Sequence, residues 1–193
     1  MNLSRRCILG KILTGLFLLK FPGHLSSGPI LDQESEQKIR LGYTSFIKEL
    51  QKSKNLLLQK KLKELILQRE LGKGFDFHLR NAGLDFKEVQ IISNAMMKAT
   101  KHGILNLKSF SLSYNPEITD QGVGLLVKAF PPQITELGLV GCDLGDEAGE
   151  GIYQYLENSA LELVCIEGNN FSSVLMDKFK KLREQKPNLS LLI

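Results

Sequence analysis

Apolar residues in the second half of the chain follow two alternating rhythms. Phe110 and Leu112, Leu137 and Leu139, and Val164 and Ile166 alternate with small or polar residues, the period of a short strand with one buried face. Each pair is followed by apolar residues at helical spacing: Leu126 and Phe130 after the first, Ile152 and Leu156 after the second. Helix starts are marked by cap residues. Asp85 with Glu88 reads as a capping box, and Thr119 and Ser172 stand at comparable places. The pattern predicts strands alternating with helices, hence parallel strands joined by helical crossovers.

The rhythm is also a repeat. Phrases begin at Leu107, Ile134 and Leu161, which are evenly spaced. The columns Phe110, Leu137, Val164 and Leu112, Leu139, Ile166 keep that interval, as does the polar column Asn115, Cys142, Asn169. A fourth column, Ile118, Leu144, Phe171, slips by one position because "NPEI" carries an insertion. An earlier unit, "FHLRNAGL", puts Phe77, Leu79, Ala82 and Leu84 in the four columns, with Ile92 and Met96 on an amphipathic stretch behind it. The ending "NLSLLI" reads as the first strand of one more unit.

This arrangement, LxxLxLxx(N/C)xL followed by a helical stretch, resembles the leucine-rich repeat. The period of 27 with a full helix resembles the ribonuclease-inhibitor-like subtype, known also from repeat effectors of pathogenic bacteria. The resemblance covers residues 74–193 and implies an α/β fold: a short solenoid with a parallel concave sheet and convex helices. It further implies a structural ladder at Ala82, Asn115, Cys142 and Asn169, whose side chains point inward and bond the backbone of neighbouring turns. Such proteins bind other proteins on the concave face.

A solenoid exposes apolar surface at its ends and needs caps. Residues 32–73 are assigned as a helical N-terminal cap of one or two helices, with Ile47, Leu50, Leu57, Leu58, Leu62, Leu65 and Ile66 as its apolar face. The lysine run within it is read as a solvated face. Residues 1–31 are different in kind. They hold Arg5, Arg6, Lys11 and Lys20, no acid, and an apolar run from Cys7 to Leu19. That order resembles a signal-like segment, so export or secretion is the favoured expectation, with a membrane-associated or organellar location as the alternative. Membrane contact through residues 1–31 belongs to the same expectation.

Charge narrows the function classes. The formal net charge of +4 equals that of residues 1–31, because the remaining basic and acidic residues cancel. Residues 48–74 hold eight Lys/Arg against three Glu, whereas residues 115–167 hold ten Asp/Glu against Lys128 alone. An acidic half repels phosphate, which argues against nucleic acid and for a protein partner with a basic surface.

Candidate chemistry is sparse. Three cysteines, at 7, 142 and 165, are too few for a disulfide framework, and their spacing with His24, His78 and His102 fits no zinc pattern. Cys165 falls in an outward strand row with His78, Ser111 and Gly138. Three strands of about 4.8 Å put it roughly 14 Å from that imidazole, too far for a nucleophile–base pair at about 3 Å. No catalytic residue, cofactor or metal site is therefore expected. The candidate site is a protein-binding face made by Asp76, His78, Arg80, Ser109, Ser111, Ser113, Tyr114, Glu136, Val140, Glu162, Leu163, Cys165 and Glu167. Tyr114, Val140 and Leu163 serve in it as anchors ringed by Glu136, Glu162 and Glu167.

Overall fold

Five short strands carry the inward apolar pairs: β1 (Phe75–His78), β2 (Leu107–Ser111), β3 (Glu136–Gly138), β4 (Leu163–Cys165) and β5 (Ser190–Leu192). They form one parallel sheet in chain order, β1-β2-β3-β4-β5. The computed structural model describes residues 32–68 and 71–193, the side chain of Leu71 apart; the targeting and membrane expectations for residues 1–31 lie outside the described residues. Six α-helices are found among the described residues: α1 (Gln33–Leu50), α2 (Leu56–Ile66), α3 (Phe86–His102), α4 (Asp120–Ala129), α5 (Asp146–Asn158) and α6 (Ser173–Gln185). The protein is thus an α/β protein in which α3 to α6 each cross between neighbouring parallel strands.

The repeat interval is the sheet register. Ser109 pairs with Glu136 and Glu136 with Leu163; Ser111 pairs with Gly138 and Gly138 with Cys165. Every one of these steps equals the spacing of the sequence columns. Between β1 and β2 the step is longer, from Phe77 to Phe110, because α3 has 17 residues where α4 has 10 and α5 has 13. Lys108 adds a bulge at the start of that pairing.

Phe77, Phe110, Leu137, Val164 and Leu191 turn to one face of the sheet and are buried in one continuous core with Ile92, Met96, Leu126, Ile152 and Phe179 from the helices. Aromatic rings run through it: Phe46 on Phe77 at 5.6 Å, Phe77 stacked on Phe110 at 5.7 Å, then Phe130 at 5.2 Å and Tyr155 at 5.4 Å. Such pairs add about 0.5–1.5 kcal/mol each beyond the area they bury.

Residues 32–193 make a single compact unit, so the N-terminal helices are part of the same body as the strands. Helix α1 packs on α3, and the approach is close enough to involve backbone. Ile104 N–H donates to Lys38 O at 3.0 Å, and a Cβ on Gly42 would stand 2.4 Å from Ile104 O. Glu49, almost buried, accepts from Lys52 at 2.5 Å and from Lys98 of α3 at 2.7 Å. Burial raises its carboxyl pKa, but the bonds and charges of the two lysines outweigh that and hold it below the ordinary value.

Two expectations for this region are corrected. Leu57 and Ile66 do not join the apolar face; only Leu58, Leu62 and Leu65 of α2 are buried, because an eleven-residue helix packed chiefly on α1 covers one narrow stripe. The Asp85–Glu88 capping box is half made. Asp85 accepts from Glu88 N–H at 3.0 Å, while the Glu88 carboxylate turns to Ser53 Oγ at 2.5 Å and ties the α1–α2 connection to α3. Thr119 and Ser172 each cap as oxygen acceptors, to Gly122 and Leu175 N–H, both at 3.3 Å.

Candidate functional site

Beyond each strand the chain turns away from the sheet, and its backbone groups must find partners outside the ladder. Asn115 does this for two turns at once. Its Nδ2 donates to Leu79 O at 2.8 Å and Leu112 O at 2.7 Å, and its Oδ1 accepts from Ala82 N–H at 2.8 Å and Leu84 N–H at 3.1 Å. Asn169 repeats the arrangement one unit after Cys142: Leu139 O and Ile166 O at 2.8 Å each, Cys142 N–H at 2.9 Å, Leu144 N–H at 3.2 Å. Between them the Cys142 thiol donates weakly to Leu112 O at 3.4 Å and Val140 O at 3.6 Å.

The residue type in this column matches the turn that precedes it. At residues 82–84 and 142–144 two N–H groups point at the column, and an amide oxygen takes both. At residues 115–118 the inserted residue takes the second N–H out of reach, since Ile118 N–H is bonded to Asn115 O at 3.3 Å, and the backbone of Asn115 and its neighbour Tyr114 faces the sulfur. A thiol suffices there. Burial also pushes the Cys142 thiol above its ordinary pKa, against the pull of the backbone of Asn115 and Tyr114, so it is a protonated core group and not a nucleophile.

The column just before it holds left-handed backbone: Asn81 at φ 48°, Tyr114 at 62°, Gly141 at 59° and Gly168 at 69°. Glycine is at ease there; a bulky tyrosine is an outlier. The strain has a local counterpart. The Arg80 guanidinium lies over the Tyr114 ring, 4.0 Å from its centre, and a Cβ on Gly141 would come within 3.2 Å of one ring edge. Sequence reasoning missed this left-handed run. Its only signal is the Asn/Gly preference at Asn81, Gly141 and Gly168, which the tyrosine at 114 interrupts.

The acidic residues around Cys142 join units together. Asp120, first residue of α4, accepts from Gly145 N–H at 2.9 Å; Asp146, first residue of α5, accepts from Ser172 N–H at 2.7 Å. The Ser172 bond holds the Asp146 carboxyl below its ordinary pKa. Asp143 accepts from Asn170 Nδ2 at 2.5 Å, and Glu150 pairs with Lys178. Among the described residues no His/Cys/Asp/Glu group is arranged to hold a metal ion.

The sheet face turned away from the core carries the predicted row. Asp76 stands in register with Ser109, Glu136, Leu163 and Ser190, and His78 with Ser111, Gly138, Cys165 and Leu192. Asp76, His78, Arg80 and Glu162 are exposed; Tyr114, Glu136, Val140, Leu163 and Glu167 are half-buried. Three positions expected to look outward are buried. Ser109 lies under His78, whose Nε2 is 2.7 Å from its Oγ. Ser113 Oγ meets Ser111 Oγ at 3.1 Å and accepts from Val140 N–H at 3.1 Å, so it closes the backbone of the next unit. Cys165 is also buried, with Gly138 and Leu192 as its register neighbours and two strands separating it from His78. Ser109 and Ser113 are therefore part of the fabric, and Asp76, His78, Arg80, Tyr114, Val140, Leu163 and the three glutamates are what the face presents. No family model matches the chain, and no curated protein matches its sequence.

Proposed function

We propose that the chain is a short leucine-rich-repeat solenoid of the ribonuclease-inhibitor-like kind, a non-enzymatic module that takes another protein on the concave face of its sheet. The observation that carries this reading is the presented row itself. A strained tyrosine braced by a guanidinium stands just past β2 with its N–H bonded to Val140 O, Glu167 O takes the N–H of Gly141 in the next turn, and Glu136 and Leu163 pair at the start of β3 and β4. Aromatic and aliphatic side chains set among charged ones are a composition that concentrates binding energy, and acidic neighbours favour a basic partner surface. The parallel register, which advances by one sequence repeat from β2 to β3 and again from β3 to β4, supports the repeat assignment. The resemblance to repeat effectors of pathogenic bacteria supplies the context, an exported effector or a regulator of one.

The test is site-directed photocrosslinking in the full chain. A photoreactive side chain at Val140 or Leu163 should capture one protein, whereas the same group at Gln90, on the exposed side of α3, should not. The double variant Tyr114→Gly, Glu136→Lys should lower capture at least tenfold, since glycine removes the ring while relieving the left-handed backbone. Equal capture at all three positions, or undiminished capture by the double variant, would refute the proposal.

A further inference from the structure

Helix α2 buries a single stripe, Leu58, Leu62 and Leu65, holds Gln59 and Lys61 half-buried beside it, and leaves its far side in solvent. The exposed part is not the polar surface that a solvated helix carries. Leu56 is 84% exposed, Leu67 77%, Ile66 55% and Leu57 46%. At spacings of four, three and four, Leu56, Lys60, Lys63 and Leu67 form one line along the helix, with apolar side chains at its ends and lysines between. Lys60 and Lys63, with Lys54 on the preceding turn, are exposed and pair with no carboxylate among the described residues. The one acid of α2, Glu64, is 3.6 Å from Lys61, so its charge is met within the helix.

We propose that α2 is an interfacial anchor that lays this Leu/Lys face on an anionic lipid surface. The leucines enter the boundary between headgroups and acyl chains, and the lysine stems snorkel alongside them with their ammonium groups at the phosphates. Charge complementarity selects the occupant: residues 48–74 hold eight Lys/Arg against three Glu, and bilayers rich in phosphatidylserine attract such clusters. Shape selects a bilayer over a protein. Side chains as exposed as Leu56 and Leu67 stand clear of the body, so a protein would have to bring its own groove, whereas a lipid interface accepts them as they are. The helix does not span: no helix of the described residues is long and apolar enough to cross a membrane. This inference is independent of the partner face on the sheet.

Vesicle sedimentation of the full chain tests it, using phosphatidylcholine alone and phosphatidylcholine with about a third phosphatidylserine. The chain should partition to the mixed vesicles, and partitioning should fall as salt is raised. Lys60→Gln with Lys63→Gln should weaken it about 25-fold, at about fivefold per lysine. Leu56→Ser with Leu67→Ser should weaken it at least tenfold, with the circular dichroism unchanged because both positions lie on the surface. A third variant, with Arg5, Arg6, Lys11 and Lys20 all changed to Gln, separates the basic residues of 1–31 from α2. Retained binding in that variant, together with loss in the α2 variants, supports the anchor. Absence of partitioning by the parent chain, or α2 variants that bind like the parent, would overturn it; a face that docks only to protein gives the first of these results.

Discussion

Replacing Asn115 by alanine removes four short hydrogen bonds, and a longer one to Ser113 O at 3.4 Å, at a site with no solvent exposure. Two buried N–H groups, of Ala82 and Leu84, lose their acceptor, and two carbonyls, of Leu79 and Leu112, lose a donor. A typical bond is worth about 1 kcal/mol net, and a buried group left unpaired costs about 1–3 kcal/mol. Some relaxation toward water is open to the turn at residues 80–83, so a loss of about 4 kcal/mol is expected. Cys142→Ala at the equivalent place removes two long thiol contacts and leaves a cavity smaller than a methylene pair, about 1 kcal/mol. The comparison is the informative part, since both positions are buried in the same column. Asn115→Asp sharpens it, because it keeps an oxygen for the two N–H groups but turns a carboxylate oxygen toward two carbonyls; it should be at least as damaging as alanine. Urea unfolding of the full chain, followed by far-ultraviolet circular dichroism, reads all three if the slope with denaturant stays constant. Losses for Asn115→Ala and Cys142→Ala within about 1 kcal/mol of each other would refute the idea that residue type in this column is set by the N–H groups of the preceding turn.

Gly42→Ala should destabilise by at least about 1–3 kcal/mol, because its Cβ would meet the Ile104 backbone, which has no side-chain freedom with which to yield. Alanine at the open position Gly124 is the control, and equal stability of the two variants in urea would show that the α1–α3 approach is looser than described. Burial pushes the Tyr43 and Tyr155 hydroxyls up to about 12 from an ordinary 10.0. The folded state therefore keeps protons that the unfolded chain releases above pH 10, and stability falls between pH 10 and 12 by about 1.4 kcal/mol per pH unit for each tyrosine. Tyr43→Phe gives up the bond to Leu65 O, 2.7 Å long, so it should be less stable than the parent at neutral pH. It should close that gap near about pH 11, and a gap that does not change with pH would contradict the assignment.

The parallel α/β architecture was legible because its causes are periodic. Strand pairs such as Leu137 and Leu139 and helix pairs such as Ile152 and Leu156 each carry their own spacing, and their return at an even interval matches the register step from β2 to β3 and from β3 to β4. What failed to show were features without a period. Ser109 and Ser113 read as outward, solvent-facing hydroxyls; alternation gives the face of a strand, but not that a histidine one strand away lies over Ser109 or that Ser113 closes a neighbouring N–H. Leu57 and Ile66 read as core because helical spacing gives a stripe without its width. That width depends on how many neighbours the helix has, and α2 has few.

The sequence alone therefore determined the kind of element at each place and the interval between units, since both follow from contacts a few residues apart and from a buried face that must repeat. Tertiary structure decided the partners. Whether the acids near Cys142 bind a metal or bridge units, whether the thiol reacts or fills, and whether a leucine is core or surface all depend on groups 25 to 36 residues away, from Asp120 with Gly145 to Asn115 with Leu79. Hydrogen bonding and burial are properties of neighbours in space, and the parallel pairing of strands is what brings those neighbours together.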